Sequence, residues 1–309
     1  MTTTWRQLLA DTSTALADPR EARWVVEHVA ASSGSSRTGS SRTGSSSDRS
    51  SWASPLRVRL DEAAPLDVIH GVRKLVARRQ AGVPLQHVLG EWGWRTLNVL
   101  VDARALVPRP ETEVVTEYAL AELDRVLALR PGTRLVAADL GTGSGVIALS
   151  LASERDFVDV IAVERSGSAR ELATANIARA QPSIAGRVRL LAGDWYQALP
   201  LDLKESLDLV VSNPPYLADH ELADLDPVVR DHDPYEALVA GATGLESITR
   251  IVVGAPQWLA AGGALVVEIA PHQNGAVLDL AEATNAFETA TVEPDLTGRP
   301  RALVARMPV

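Results

Sequence analysis

The chain contains no cysteine, so disulfides and thiolate chemistry are both excluded. Its six histidines are scattered without the spacing that metal ligands need, and no metal is expected. Positive charge is in deficit. Thirty basic against 39 acidic residues give a net charge of −9, the wrong sign for a protein whose affinity comes from neutralising phosphates, so stable nucleic-acid binding is not expected. Nor is there an apolar run of about 18 residues, the minimum for a membrane-spanning helix. The N-terminus places Trp5, Leu8, Leu9 and Leu16 in a helical rhythm instead of a continuous apolar core, and a cytoplasmic enzyme is expected.

What is present is a chain of 309 residues with 46% hydrophobic content, long enough for one large domain and a small one. The small one comes first. Trp5, Leu8, Leu9, Thr12 and Leu16 share one helical face, and a second helix opens at Asp18-Pro19 with Val25, Val26 and Val29 facing in. A serine- and glycine-rich insertion follows over residues 32–54, with a five-residue echo, and reads as a disordered loop. Arg37, Arg42 and Arg49 among its serines leave an anionic-surface or phosphorylatable tether as the alternative. Leu66, Ile69, Val72 and Val76 resume a helix that Gly82 and Pro84 should stop. Residues 1–83 therefore make a helical domain. Residues 84–104, with Gly90, Gly93, Trp92 and Trp94, read as a linking β-hairpin whose tryptophans serve packing more readily than substrate contact.

Over residues 105–309, strands and helices alternate, which predicts an α/β, doubly wound sheet with ligands at the strand carboxyl ends. Apolar residues 135–138 lead into Asp139-Leu-Gly141-Thr142-Gly143-Ser-Gly145 and then a helix. Glycines there let the backbone turn sharply and approach a ligand. Val146 stands where a dinucleotide fingerprint needs Gly or Ala, so a nicotinamide cofactor is disfavoured. The next strand, residues 158–163, ends in Glu164, at the offset where an acidic side chain meets a ribose diol. A later one, residues 207–212, runs into Asn213-Pro214-Pro215-Tyr216. The prolines limit the freedom of Asn213, whose carboxamide matches a planar NH2 group. A proline-stiffened turn with a capping Asn is the alternative. Asp139, Glu164, Asp194 and Asn213 close four successive strands, a pattern that capping alone explains poorly.

Together these stretches resemble the class I S-adenosylmethionine-dependent methyltransferases, and more narrowly the N5-glutamine methyltransferases of peptide-chain release factors. Residues 106–113 around Pro108-Arg109-Pro110-Glu111, Gly193-Asp194-Trp195, and residues 233–238 with Gly241, Gly244 and Leu245 are similar to further blocks of that family, over roughly residues 84–306. Ala270-Pro271 and the serine-rich insertion depart from it. The resemblance implies a seven-stranded sheet with the last strand antiparallel, S-adenosylmethionine as methyl donor, release factors 1 and 2 as protein substrates, and a monomer. It further implies that the N-terminal helices grip the substrate. Asp139, Gly141, Thr142, Gly143 and Gly145 would hold the methionine part, Glu164 the ribose, and Asp194 with Trp195 the adenine. Asn213 and Pro214 would grip the glutamine amide, with Pro215 and Tyr216 packed against it. Residues 109–113, Arg109 and Glu111 among them, either line the cofactor and substrate mouth or only start a helix, where acidic residues suit the dipole. Residues 219–233, acidic and weakly patterned, read as a mobile lid or substrate loop.

Three rival readings stay open. They are glutamine methylation of a ribosomal protein, N6-adenine methylation of DNA with the same tetrapeptide gripping a flipped base, and a cofactor-binding regulatory module without catalysis.

Overall fold

The computed structural model describes residues 2–35 and 60–309. The chain divides into two compact units, Met1–Gly90 and Glu91–Val309. The first is helical. Helix α1 (Trp5–Leu16) begins at a reciprocal cap in which Thr4 Oγ1 accepts from the Gln7 amide and Gln7 Oε1 accepts from the Thr4 amide. Helix α2 (Pro19–Ser35) has proline at its first position and Asp18 accepting from two first-turn amides. With α3 (Leu66–Gln80) they bury Trp5, Leu8, Val25, Val26, Val29, Val68, Ile69 and Val72. At their crossing a Cβ on Gly71 would lie 2.6 Å from Val29 Cγ1, so only glycine allows this approach of α2 to α3.

Three expectations change in this unit. Leu66 is 72% exposed, because the buried stripe of α3 runs through Val68, Ile69 and Val72. Residues 32–35 of the expected disordered insertion complete α2, and the remainder of that insertion, with Arg37, Arg42 and Arg49, lies outside the described residues. Residues 84–104 do not form a single hairpin linker: α4 (Leu85–Leu89) closes the first unit at Gly90, whose φ of 77° ends the helix, and only the segment after it is a hairpin.

The second unit opens with that hairpin, β1 (Glu91–Trp94) and β2 (Leu97–Leu100). Its turn is made by Arg95 at a φ of 46°, held by Glu154 and Glu117, and not by glycine. Trp94 is 1% exposed and donates to Ser150 Oγ, as core packing requires. Then come α5 (Pro110–Leu129), β3 (Leu135–Leu140), α6 (Val146–Glu154), β4 (Val158–Glu164), α7 (Gly167–Arg179), the short α8 (Pro182–Ala185), β5 (Val188–Ala192) and β6 (Leu207–Ser212). After β7 (Leu217–Ala218), α9 (Pro227–Arg230), α10 (Tyr235–Leu238) and β8 (Val239–Gly241), the chain finishes with α11 (Glu246–Gly254), β9 (Leu259–Glu268), α12 (Asn274–Ala283), β10 (Thr289–Pro294) and β11 (Pro300–Arg306).

Seven strands form one sheet in the order β10-β11-β9-β6-β3-β4-β5. Strands β3, β4, β5, β6 and β9 are parallel, and β11 runs antiparallel between β9 and β10. Every residue of β6 is buried, as a central parallel strand covered on both faces requires. Each such Leu or Val contributes roughly 1.5 to 3 kcal/mol by leaving water. The order reverses between β3 and β6, and a doubly wound sheet opens its crevice at such a switch point. Among the described residues, no helix is long and apolar enough to cross a membrane.

Candidate active site

The carboxyl ends of β3, β4, β5 and β6 border one cavity of about 240 Å³. Of the residues singled out in the sequence, Gly141, Thr142, Gly143, Glu164, Asp194, Trp195, Asn213, Pro215 and Arg109 line it, while Asp139, Gly145, Pro214, Tyr216 and Glu111 do not. The loop after β3 is built for close approach. Gly141, Gly143 and Gly145 have φ of 71°, 57° and 86°, conformations that cost an L side chain about 1 to 2 kcal/mol each. A Cβ on Gly141 would stand 3.0 Å from the Trp195 ring, so glycine also lets that ring lie against the loop. Glu164 Oε2 accepts from the Gly143 amide at 3.0 Å and its Oε1 from the Ser166 amide at 2.8 Å. One carboxylate thereby ties the glycine loop to the end of β4 and still has free lone pairs.

Asp139 works from below. It is fully buried, and its Oδ2 accepts from Thr142 Oγ1 at 2.5 Å and the Ala148 amide at 3.0 Å. The loop and the first turn of α6 hang on that oxygen, while Oδ1 has no partner. Burial pushes its carboxyl up to about 7 despite those two bonds, and Glu164 raises it further. On the other side, Asp194 is reached by Arg250 at 3.4 Å, and Trp195 takes a φ of 46°, a strained conformation of the kind that gathers at functional sites.

Asn213 is held by Thr112, which lies within the stretch 109–113 expected at the mouth and does line the cavity, and behind it by Glu268, which the sequence did not single out. Its Nδ2 donates to Thr112 Oγ1 at 2.9 Å, and Thr112 Oγ1 donates to Glu268 Oε2 at 2.6 Å. Thr112 sits in the first turn of α5 and Glu268 ends β9, the strand paired with β6. Glu268 thus extends the pattern of polar residues at strand ends to a fifth strand, and that pattern was the available signal. Burial pushes it up to about 7, against the pull of Thr112 and Arg301. Pro214 is buried and Tyr216 packs against the core below the motif. Burial, with Glu268 nearby, keeps the Tyr216 phenol protonated far above ordinary pH. Pro271, where the sequence departs from the family pattern, opens a short 3-10 turn whose Gln273 donates to the Tyr216 and Gly244 carbonyls.

Arg109 reaches the buried Asp233 at 2.5 Å, and Asp233 also accepts from the Val107 amide. Glu111 turns away to Arg299 at 3.7 Å. Residues 219–233, expected as a loop, form a 3-10 helix (Asp219–Asp224) and α9 before Asp233. Asp226 caps α9, and that local bond supplies the order that hydrophobic patterning did not announce.

Comparison with known proteins gives the class first. A family model described as "Methyltransferase small domain" matches residues 123–228. The solved catalytic domain of hMettl16, in complex with MAT2A 3'UTR hairpin 6, shares the fold at 15% identity and a TM-score of 0.51, covering 76% of this chain and 81% of that one. The seven-stranded sheet is that of the methyltransferase fold. Among curated relatives, the release factor glutamine methyltransferase of Xylella fastidiosa (strain 9a5c) is 39% identical over 238 residues, 76% of this chain and 80% of that protein. The release factor glutamine methyltransferase of Deinococcus radiodurans is 42% identical over 231 residues, 75% of this chain and 77% of that protein. The chain belongs to the release factor glutamine methyltransferase family.

Proposed function

We propose that the protein transfers a methyl group from S-adenosylmethionine to the side-chain amide nitrogen of the glutamine in the Gly-Gly-Gln motif of release factors 1 and 2. One observation carries the reading beyond family membership. The Asn213 carboxamide stands at the cavity with its NH2 committed inward to Thr112, so its carbonyl oxygen is the group available to accept an N–H from a substrate.

The residues present suit the methyl donor. Glycines with left-handed φ leave the loop surface bare, Glu164 keeps acceptor capacity for a diol, Asp194 offers an acceptor for an amino group, and Trp195 offers a flat face. Asp139 acts through the loop it supports. S-adenosylmethionine, when bound, supplies an electrophilic methyl on its sulfonium.

What the chain must add is control of a poor nucleophile. An amide nitrogen has its lone pair delocalised, with the resonance that sets a barrier of about 18 to 20 kcal/mol in peptide bonds. The Asn213 carbonyl and the backbone carbonyl of Pro214 each accept one N–H of the glutamine, which fixes the nitrogen and aims its lone pair across the cavity. Tyr216, neutral and rigid, backs the motif. Positioning of this kind supplies roughly 7 to 11 kcal/mol, so no strong base is needed before the new N–C bond forms, and the displaced proton leaves to water afterwards.

The test is label transfer. The purified protein with methyl-labelled S-adenosylmethionine should label a release factor, and not one whose Gly-Gly-Gln glutamine is replaced. Label appearing instead only in ribosomal protein, or only in adenine-containing DNA, would overturn the substrate assignment, and cofactor binding without label anywhere would overturn catalysis.

A further inference from the structure

The hydrogen bonds behind Asn213 form a one-way series. When Glu268 is ionised its carboxylate only accepts, and the Thr112 hydroxyl has a single proton. With that proton on Glu268 at 2.6 Å, the hydroxyl turns a lone pair toward Asn213, 2.9 Å away. Only the NH2 end of the carboxamide can satisfy it. The two ends of a carboxamide are close in size, so packing alone distinguishes them poorly, and the polarity of the neighbouring bond decides which faces the cavity. Thr112 and Glu268 are 3% and 1% exposed, Thr112 at the cavity wall and Glu268 behind it. They come from two elements beside the one that carries Asn213, the first turn of α5 and the end of β9.

We propose that Thr112 and Glu268 are positioning residues that lock the Asn213 carboxamide with its carbonyl oxygen toward the cavity, and so make the site accept an N–H donor such as a primary amide. The inference rests on the proposed grip of Asn213 on the glutamine. With the relay removed, the carboxamide samples both orientations, and the flipped one presents N–H to N–H.

The variants Thr112→Val, Thr112→Ser and Asn213→Ala separate the possibilities, each checked for S-adenosylmethionine affinity by calorimetry. Valine keeps the shape and removes the hydroxyl, and kcat for release-factor methylation should fall about tenfold, the effect of one directional hydrogen bond, with KM for the release factor unchanged. Serine keeps the hydroxyl and should restore the rate. The double variant Thr112→Val with Glu268→Gln avoids leaving an unpartnered buried carboxylate and should show the same loss if the single variant does not fold. Full kcat in the valine or the double variant, or a serine variant as impaired as valine, would overturn the relay. An active Asn213→Ala enzyme would instead overturn the grip itself, so the two failures are distinguishable.

Discussion

Replacing Asp139 by asparagine is expected to change how stability depends on pH. Asp139 is fully buried beneath the glycine loop, and its carboxyl is pushed up to about 7, against about 4 in an unfolded chain. Between those values the folded protein holds a proton that the unfolded chain has released. The stability this contributes is complete below about pH 4, falls as pH rises, and is lost once pH passes about 7. From about pH 5 to about pH 8 the loss integrates to roughly 2.5 kcal/mol. Asparagine keeps one oxygen to accept from Thr142 and Ala148 and has no charge to bury. Urea unfolding of both proteins, followed by the fluorescence of the seven tryptophans, gives the difference directly, since Glu268 titrates alike in each and cancels. The wild type should lose ground to the variant steadily as pH rises. A difference that stays constant across that range would show that Asp139 is ionised throughout, and would refute the account of how burial holds this loop.

Other outcomes follow from the same geometry. Arg109→Ala removes the guanidinium from the buried Asp233 carboxylate, and should cost about 3 kcal/mol in the same unfolding assay; an unchanged midpoint would count against a structural role for the pair. Gly141→Ala puts a Cβ on a left-handed residue 3.0 Å from Trp195, so calorimetry should show weaker S-adenosylmethionine binding by a folded protein, and wild-type affinity would remove the loop from the cofactor site. Glu268, also pushed up to about 7, faces Thr112, Arg301, Glu111, Arg109 and Tyr216. As pH falls below about 7 its carboxyl takes a proton that it can donate to Thr112, reversing the relay, so kcat should drop on the acid side and Glu268→Gln should flatten that limb. A variant with the wild-type profile would assign the limb to another group.

The strands were legible because buried parallel strands are rich in continuous apolar residues, as at 135–138 and 209–211. The glycines after β3 were legible for the same kind of reason, since three left-handed positions within five residues leave little choice of side chain. Which way a strand-end residue points was not. Asp139 and Glu164 both read as strand-end acids, yet Asp139 pairs with Ala162 inside the sheet and lies under the loop, while Glu164 stands two residues further along and lines the cavity. That difference is one of strand register, which the sequence does not print. Thr112 fell within the expected mouth segment but without a role of its own, because a threonine in a helix's first turn is ordinary, and Glu268 was passed over because its partner Thr112 lies 156 residues away in the chain. The hairpin turn at Arg95 was missed since glycine is the usual left-handed residue, and here ion pairs with Glu154 and Glu117 hold an arginine in that conformation. The helical order of residues 219–230 comes from local bonds, Glu221 accepting from the Ala218 amide and Asp226 from the Val228 amide, and has no apolar rhythm to announce it.

The central claim is that Asn213 holds a glutamine amide for methylation. Fragmentation mass spectrometry of a release factor, after incubation with S-adenosylmethionine and either the wild-type enzyme or Asn213→Ala, tests it most directly. The wild type should place one methyl on the amide nitrogen of the Gly-Gly-Gln glutamine, and the variant should place none while binding S-adenosylmethionine with nearly the wild-type affinity. The same methyl installed by the variant, or a methyl found on any other residue, would contradict it.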